Sequence, residues 1–90
     1  PATLTDLPVA LSIAGSDSGA GAGIQADLLT FAANGVYGTT AITCLTAQNP
    51  LGVSGVQATS PAFVLEQCHQ VTRHYRPKAL KTGMLLNVEV

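Results

Sequence analysis

Stretches of β-forming residues alternate with stretches of helical period along these 90 residues, and that alternation constrains the fold most tightly. Residues 9–14, Val-Ala-Leu-Ser-Ile-Ala, form a short apolar run with proline before it and glycine after it, which predicts a strand. Residues 15–23 read as a loop of Gly, Ser, Asp and Ala. Ile24, Leu28 and Phe31 then fall at i, i+4 and i+7, so a helix is expected from about residue 24 to 34, stopped by Asn34-Gly35. Residues 39–47 are rich in β-branched side chains and predict a second strand. Residues 49–59 carry Pro50, Gly52 and Gly55 and read as a loop, in which Val53 and Val56 suggest a short strand. Ser60-Pro61 is a helix start, with Ser as N-cap and Pro at the first helical position. That helix is expected to reach about Tyr75, with Val64, Cys68, Val71 and Tyr75 on its apolar face and Arg73 and Arg76 at its C-terminal end, before Pro77. Residues 79–82 form a third strand, and Asn87 has the place of an N-cap for one more helix. The order β-α-β-α-β implies an α/β fold with a parallel sheet and right-handed crossovers. Ligands bind such sheets at the carboxyl ends of the strands, here residues 15–23, 48–59 and 83–87.

The chain is 47% hydrophobic and 10% charged, too apolar for disorder and too poor in charge for a free-standing domain of this size. A buried parallel sheet within something larger fits both numbers. From residue 1 to 72 there are four acids and no Lys or Arg, so the basic face of a nucleic-acid binder is missing. The one basic cluster, residues 73–81, reads as a solvated helix end. Cys44 and Cys68 make no disulfide framework and are expected as buried free thiols. No apolar run approaches the roughly 20 residues that span a bilayer, and the polar, proline-bounded lead-in of residues 1–8 has no signal-peptide character. The expected setting is reducing and cytoplasmic, away from any membrane.

Gly19, Gly21 and Gly23 alternate in the first loop, where they allow close backbone approach to a ligand. A Rossmann fingerprint would need glycine where Ile24 stands, with an acid some twenty residues on, yet no acid occurs between Asp27 and Glu66. A P-loop would need a Lys, and the first is Lys78. A neutral, hydrogen-bonding ligand suits this loop; a tight turn with no ligand is the alternative. His69 and His74, five apart, share no helix face and make no metal site. Asp17 reads as a turn former.

The segment Ala14-Gly-Ser-Asp-Ser-Gly-Ala-Gly-Ala-Gly-Ile-Gln-Ala-Asp27 closely resembles the N-terminal signature of hydroxymethylpyrimidine kinases. Gly35-Val-Tyr-Gly38, Thr46-Ala-Gln-Asn49 followed by Gly52-Val53, and Lys81-Thr-Gly-Met-Leu85 agree in order and spacing, so the resemblance covers about residues 9–90. The family commonly has two adjacent glycines where this chain has Ala20-Gly21. The resemblance implies a three-layer ribokinase-like fold. On it, residues 1–90 are the N-terminal portion of a single kinase domain whose C-terminal catalytic portion is absent from this stretch. It implies ATP-dependent phosphorylation of 4-amino-5-hydroxymethyl-2-methylpyrimidine and then of its monophosphate, in thiamine biosynthesis, with ATP and Mg²⁺ bound mainly by the absent portion. No catalytic residue and no metal ligand is expected here, and the 90 residues alone are expected to be inactive. The expected partners are the small aminopyrimidine and, for the protein, a second copy of itself or a companion chain carrying the rest of the domain.

The expected substrate-binding residues are Gln48, Gly15, Ala22, Asp27 and Met84. The carboxamide of Gln48 offers a donor beside an acceptor, matching an aminopyrimidine edge; bracing its own loop is the alternative. Asp27 either answers the helix dipole or accepts from the ligand's amino or hydroxyl group. Gly15 and Ala22 are backbone-approach positions in the matching motif. Met84 would pack on the face of the ring or fill the core. Pyridoxal kinase, of the same fold, is the alternative enzyme. A non-catalytic binding module is the alternative of another class.

Overall fold

The computed structural model describes residues 6–90, so most of the expected polar lead-in lies outside the described residues. Its elements are β1 (Val9–Ser16), α1 (Gly23–Ala33), β2 (Tyr37–Asn49), β3 (Gly52–Ala58), α2 (Pro61–Tyr75) and β4 (Ala79–Thr82). The sheet order is β3-β2-β1-β4, with β1 parallel to both β2 and β4.

The sheet is mixed rather than wholly parallel. β2 runs on through Gln48 to Asn49 and returns as β3, which pairs with it antiparallel. The stretch expected as a loop therefore shrinks to a tight turn at Pro50-Leu51, closed by Asn49 Oδ1 accepting from the Leu51 N–H at 2.8 Å. Val53 and Val56 do mark a strand, and it is seven residues long. Asn87 accepts from the Val90 N–H through Oδ1 at 3.1 Å, the bond an N-cap makes, but residues 87–90 form a turn rather than a helix.

The two crossovers run in opposite directions across the sheet, the first from β1 through α1 to β2 and the second from β3 through α2 past β1 to β4. Right-handed connections then put the helices on opposite faces, giving three layers. The packing agrees. Leu28 and Phe31 of α1 press on Gly38, while Leu11 and Ala41 gather with Val64 of α2, joined by Ile13, Cys68 and Val71. Ser60 caps α2 by accepting from the Phe63 N–H, Pro61 follows it, and Arg73 and His74 stand in the last turn, as expected. Cys44 is buried, Cys68 is half-buried, and both are free thiols.

Beyond the end of β3, the outer rim of β2 is closed by a side chain. Gln67 of α2 accepts from the Ile42 N–H at 2.8 Å and donates to the Ile42 carbonyl at 3.1 Å, as a neighbouring strand would. Among the described residues no helix is long and apolar enough to cross a membrane.

Candidate functional site

The reversal of strand order at β1 opens a crevice at its carboxyl end, where open α/β sheets take ligands. A cleft of about 260 Å³ lies there. Ala14, Gly15 and Ser16 form its floor, Asp17, Ala22 and Gly23 one wall, Thr46 and Gln48 of β2 another, and Lys81, Gly83 and Met84 the side toward β4. Of the five sequence-predicted residues, Gly15, Ala22, Gln48 and Met84 line this cleft together, and Asp27 does not.

The glycine-rich loop is held by Asp17, which is buried and uses both oxygens. Oδ1 accepts from the Gly19 N–H at 2.7 Å, and Oδ2 from the Ala22 N–H at 2.8 Å. Gln25 braces it from the helix, accepting from the Asp17 N–H and donating to Ser16 Oγ. Gly23 takes φ +62°, and a Cβ there would stand 2.5 Å from the Gly15 carbonyl oxygen, so the loop can enter α1 only through glycine. Ala20 takes φ +63° without that freedom, at the place where the resembling family commonly has glycine.

Gly15 is required by the protein before any ligand arrives. The ladder between β1 and β2 slips between Ala14 and Ser16, and a Cβ on Gly15 would stand 2.9 Å from Cys44 Sγ. A second irregularity falls between Ala47 and Gln48 on the β3 side, so Gln48 sits in a bulged strand rather than in a loop after it.

The orientation of the Gln48 amide follows from its neighbour. Thr46 Oγ1 donates its one proton to the Ser16 carbonyl at 2.8 Å and therefore accepts from Gln48 Nε2, also at 2.8 Å. Gln48 keeps Oε1 and its second amide hydrogen without a partner among the described residues. Its backbone is fixed separately by Ser18, whose hydroxyl meets both the Gln48 N–H and carbonyl at 2.8 Å. Met84 is 58% exposed at the cleft, with its Sδ 4.0 Å from the Sγ of buried Cys44, and its carbonyl accepts from Thr43 Oγ1 at 2.6 Å.

Asp27 lies beyond the first turn of α1, outside the reach of the helix dipole. It stands on the helix's apolar stripe beside Ile24 and Leu28. Its Oδ2 accepts from the fully buried Ser12 hydroxyl at 2.6 Å, and both oxygens accept from Lys81 Nζ at 2.9 Å. Burial pushes its carboxyl up, but the Ser12 hydrogen bond and the bond and charge of Lys81 outweigh it and hold it below the ordinary aspartate value.

A family model described as phosphomethylpyrimidine kinase matches residues 17–90. This chain belongs to that family. It is 63% identical over 84 residues to the hydroxymethylpyrimidine/phosphomethylpyrimidine kinase of Synechococcus elongatus, covering 93% of this chain and 32% of that protein. With the corresponding kinase of Bacillus subtilis it shares 53% identity over 81 residues, covering 90% of this chain and 30% of the relative. The chain thus spans about a third of the length of these curated relatives. Among solved structures, the phosphomethylpyrimidine kinase of Clostridium difficile superposes with a TM-score of 0.82 at 48% identity, over 86% of this chain and 33% of that one. The Bacillus subtilis pyridoxal kinase, solved as an ADP complex, superposes with a TM-score of 0.85 at 41% identity, over 93% and 32%.

The residue that sequence reasoning missed is Lys81. It falls in the expected third strand, but its basic neighbours suggested a solvated end, whereas it lines the cleft and pairs with an acid 54 positions away. Kinases of this family use ATP. Among the described residues no group of three or more His, Cys, Asp or Glu stands together, and Asp17 has both oxygens on loop amides. That donor set does not fit a magnesium–triphosphate complex.

Proposed function

We propose that this stretch is the amino-terminal part of a ribokinase-like kinase that phosphorylates 4-amino-5-hydroxymethyl-2-methylpyrimidine and then its monophosphate. The cleft is its pyrimidine-binding half. The outer edge of β4 pairs with nothing among the described residues and Leu80 is exposed there, which leaves room for the sheet to continue. On this reading ATP and Mg²⁺ are held by residues beyond the stretch. Each turnover moves one phosphoryl group from ATP to the substrate oxygen and leaves ADP. A second copy of the protein, or a companion chain carrying the rest of the domain, remains part of the proposal.

One observation carries the substrate: the Gln48 amide, anchored on Thr46, keeps a donor and an acceptor side by side at the cleft. An aminopyrimidine presents the complementary pair, a ring nitrogen beside an amino group. Met84 supplies an exposed, polarizable surface for the flat face of the ring. Gly15 and Ala22 supply backbone at close range. Asp27 acts from behind Lys81.

The test is Gln48→Ala in the full-length protein, with steady-state kinetics. Leaving the desolvated ring edge unpaired costs about 1–3 kcal/mol, so kcat/KM for the pyrimidine should fall on the order of tenfold to a hundredfold while the KM for ATP holds. Gln48→Glu should also lower it, because a carboxylate only accepts and meets the ring nitrogen's lone pair. Unchanged pyrimidine kinetics in both variants would show that the assignment is wrong. Solved pyridoxal kinases also superpose on this chain, so pyridoxal is the competitor to assay beside the pyrimidine.

A further inference from the structure

Two ionisable side chains line the cleft, Asp17 and Lys81. Asp17 is committed to the loop through both oxygens. Lys81 is the cation, and Asp27, itself held by Ser12, fixes its ammonium. Ser12 and Lys81 are register partners on β1 and β4, so their side chains lie next to each other on the α1 face. Asp27 descends from α1 onto both, with Nζ 2.9 Å from each carboxylate oxygen. Gly83 follows one residue after the strand, where a Cβ would stand 3.3 Å from Nζ and crowd the ammonium.

An ammonium carries three protons, and two acceptors account for two of them. Lys81 lines the cleft with its side chain 46% exposed, whereas Asp27 stands behind it, 15% exposed and off the cleft wall. An anion entering the cleft therefore meets the ammonium first, with the carboxylate at its back. Gln48 and Lys81 line the same cleft from strands on either side of β1. A single ring held at one edge by Gln48 has its oxygen-bearing arm free to extend toward the β4 side.

Resting on the functional reading above, we infer that Lys81 is a specificity-determining contact for that arm, holding the phosphate ester of the monophosphate more strongly than the neutral alcohol of the first substrate. The Asp27 and Ser12 side chains are positioning residues that fix the ammonium at the cleft wall before substrate arrives. A charge-assisted bond to a phosphate oxygen is worth more than one to an alcohol, so the contact discriminates between the two substrates of the same site.

The test uses the full-length kinase, with KM and kcat measured separately for the hydroxymethyl compound and for its monophosphate. Lys81→Met should raise the monophosphate KM about tenfold or more and change the alcohol KM by less than about threefold. Lys81→Arg, which keeps the charge, should recover part of the loss. Because Lys81→Met strands the Asp27 carboxylate and can unfold the protein, the neutral pair Asp27→Asn/Lys81→Met is measured beside it, and it should show the same selective loss. Equal losses on both substrates in the single variant, or wild-type monophosphate kinetics in the pair, would reduce Lys81 to a brace for Asp27 and overturn the inference. Wild-type protein that phosphorylates neither compound would overturn the functional reading and this inference together. Turnover of both without selectivity at Lys81 would overturn the inference alone.

Discussion

Adding one methyl group at Gly15 isolates a contact that the fold needs independently of any ligand. The Cβ of Gly15→Ala would stand 2.9 Å from Cys44 Sγ, against about 3.5–4.0 Å for ordinary contact between non-bonded heavy atoms. Cys44 cannot give way. It has no solvent-exposed surface, its strand is paired on both sides, and its sulfur already lies 4.0 Å from Met84 Sδ. Overpacking of this kind costs about 1–3 kcal/mol. Cys44→Ala alone removes one buried heavy atom and should cost about 0.5–1.5 kcal/mol. In the double variant the new methyl occupies the space the sulfur leaves. Its stability should therefore return close to that of Cys44→Ala, a coupling of about 1–3 kcal/mol between the two sites. Denaturant unfolding of the full-length protein and its three variants gives the cycle. Additive losses would refute the steric argument. A selective rise in the substrate's KM in Gly15→Ala, unrelieved by Cys44→Ala and without loss of stability, would mean that the glycine serves the ligand alone.

Two further outcomes concern the loop and helix beside the cleft. Ala20→Gly relieves a left-handed conformation that costs an L-residue about 1–2 kcal/mol and gives back about 0.4–1 kcal/mol of unfolded-chain entropy, so Tm should rise by a degree or more; an unchanged or lower Tm would count against the strain at φ +63°. Asp27 should titrate below the ordinary aspartate range by carboxyl NMR, its contribution to stability present above the unfolded-state value and lost as pH falls through the lowered folded one; Lys81→Met should move it upward, and a wild-type titration at or above the ordinary value would contradict the ion pair.

Much of this protein is written in short-range pattern. The placement of β1, α1, β2, α2 and β4 follows from apolar runs, a 3.6-residue stripe and the Ser60-Pro61 start, because propensity and capping act over a few residues. The carboxyl-end location of the cleft follows from strand and helix alternation, and it was the motif resemblance that singled out Gly15, Ala22, Gln48 and Met84 among the residues at that end. Asp17 as a loop former was legible from its residue type.

Contacts between distant residues were not legible. β3 formed because Asn49 could close a turn onto a strand already paired with β1, a cooperative gain that a count of turn residues does not register. The Gln67 amide reaches the rim of β2 at Ile42, 25 positions away, because β3 ends at Ala58 opposite Cys44. Lys81 and Asp27 meet because β4 pairs in register with β1 and α1 lies across both, so their attraction exists only once three elements have docked. The sequence by itself determined the alternation of strands and helices and the end of the sheet at which the cleft lies, through local sterics and hydrophobic period, and the motif resemblance supplied most of its lining. Only the tertiary structure decided why Gly15 must be glycine, which way the Gln48 amide turns and what charge stands at the cleft wall, because each is set by a neighbour brought within contact distance from tens of residues away.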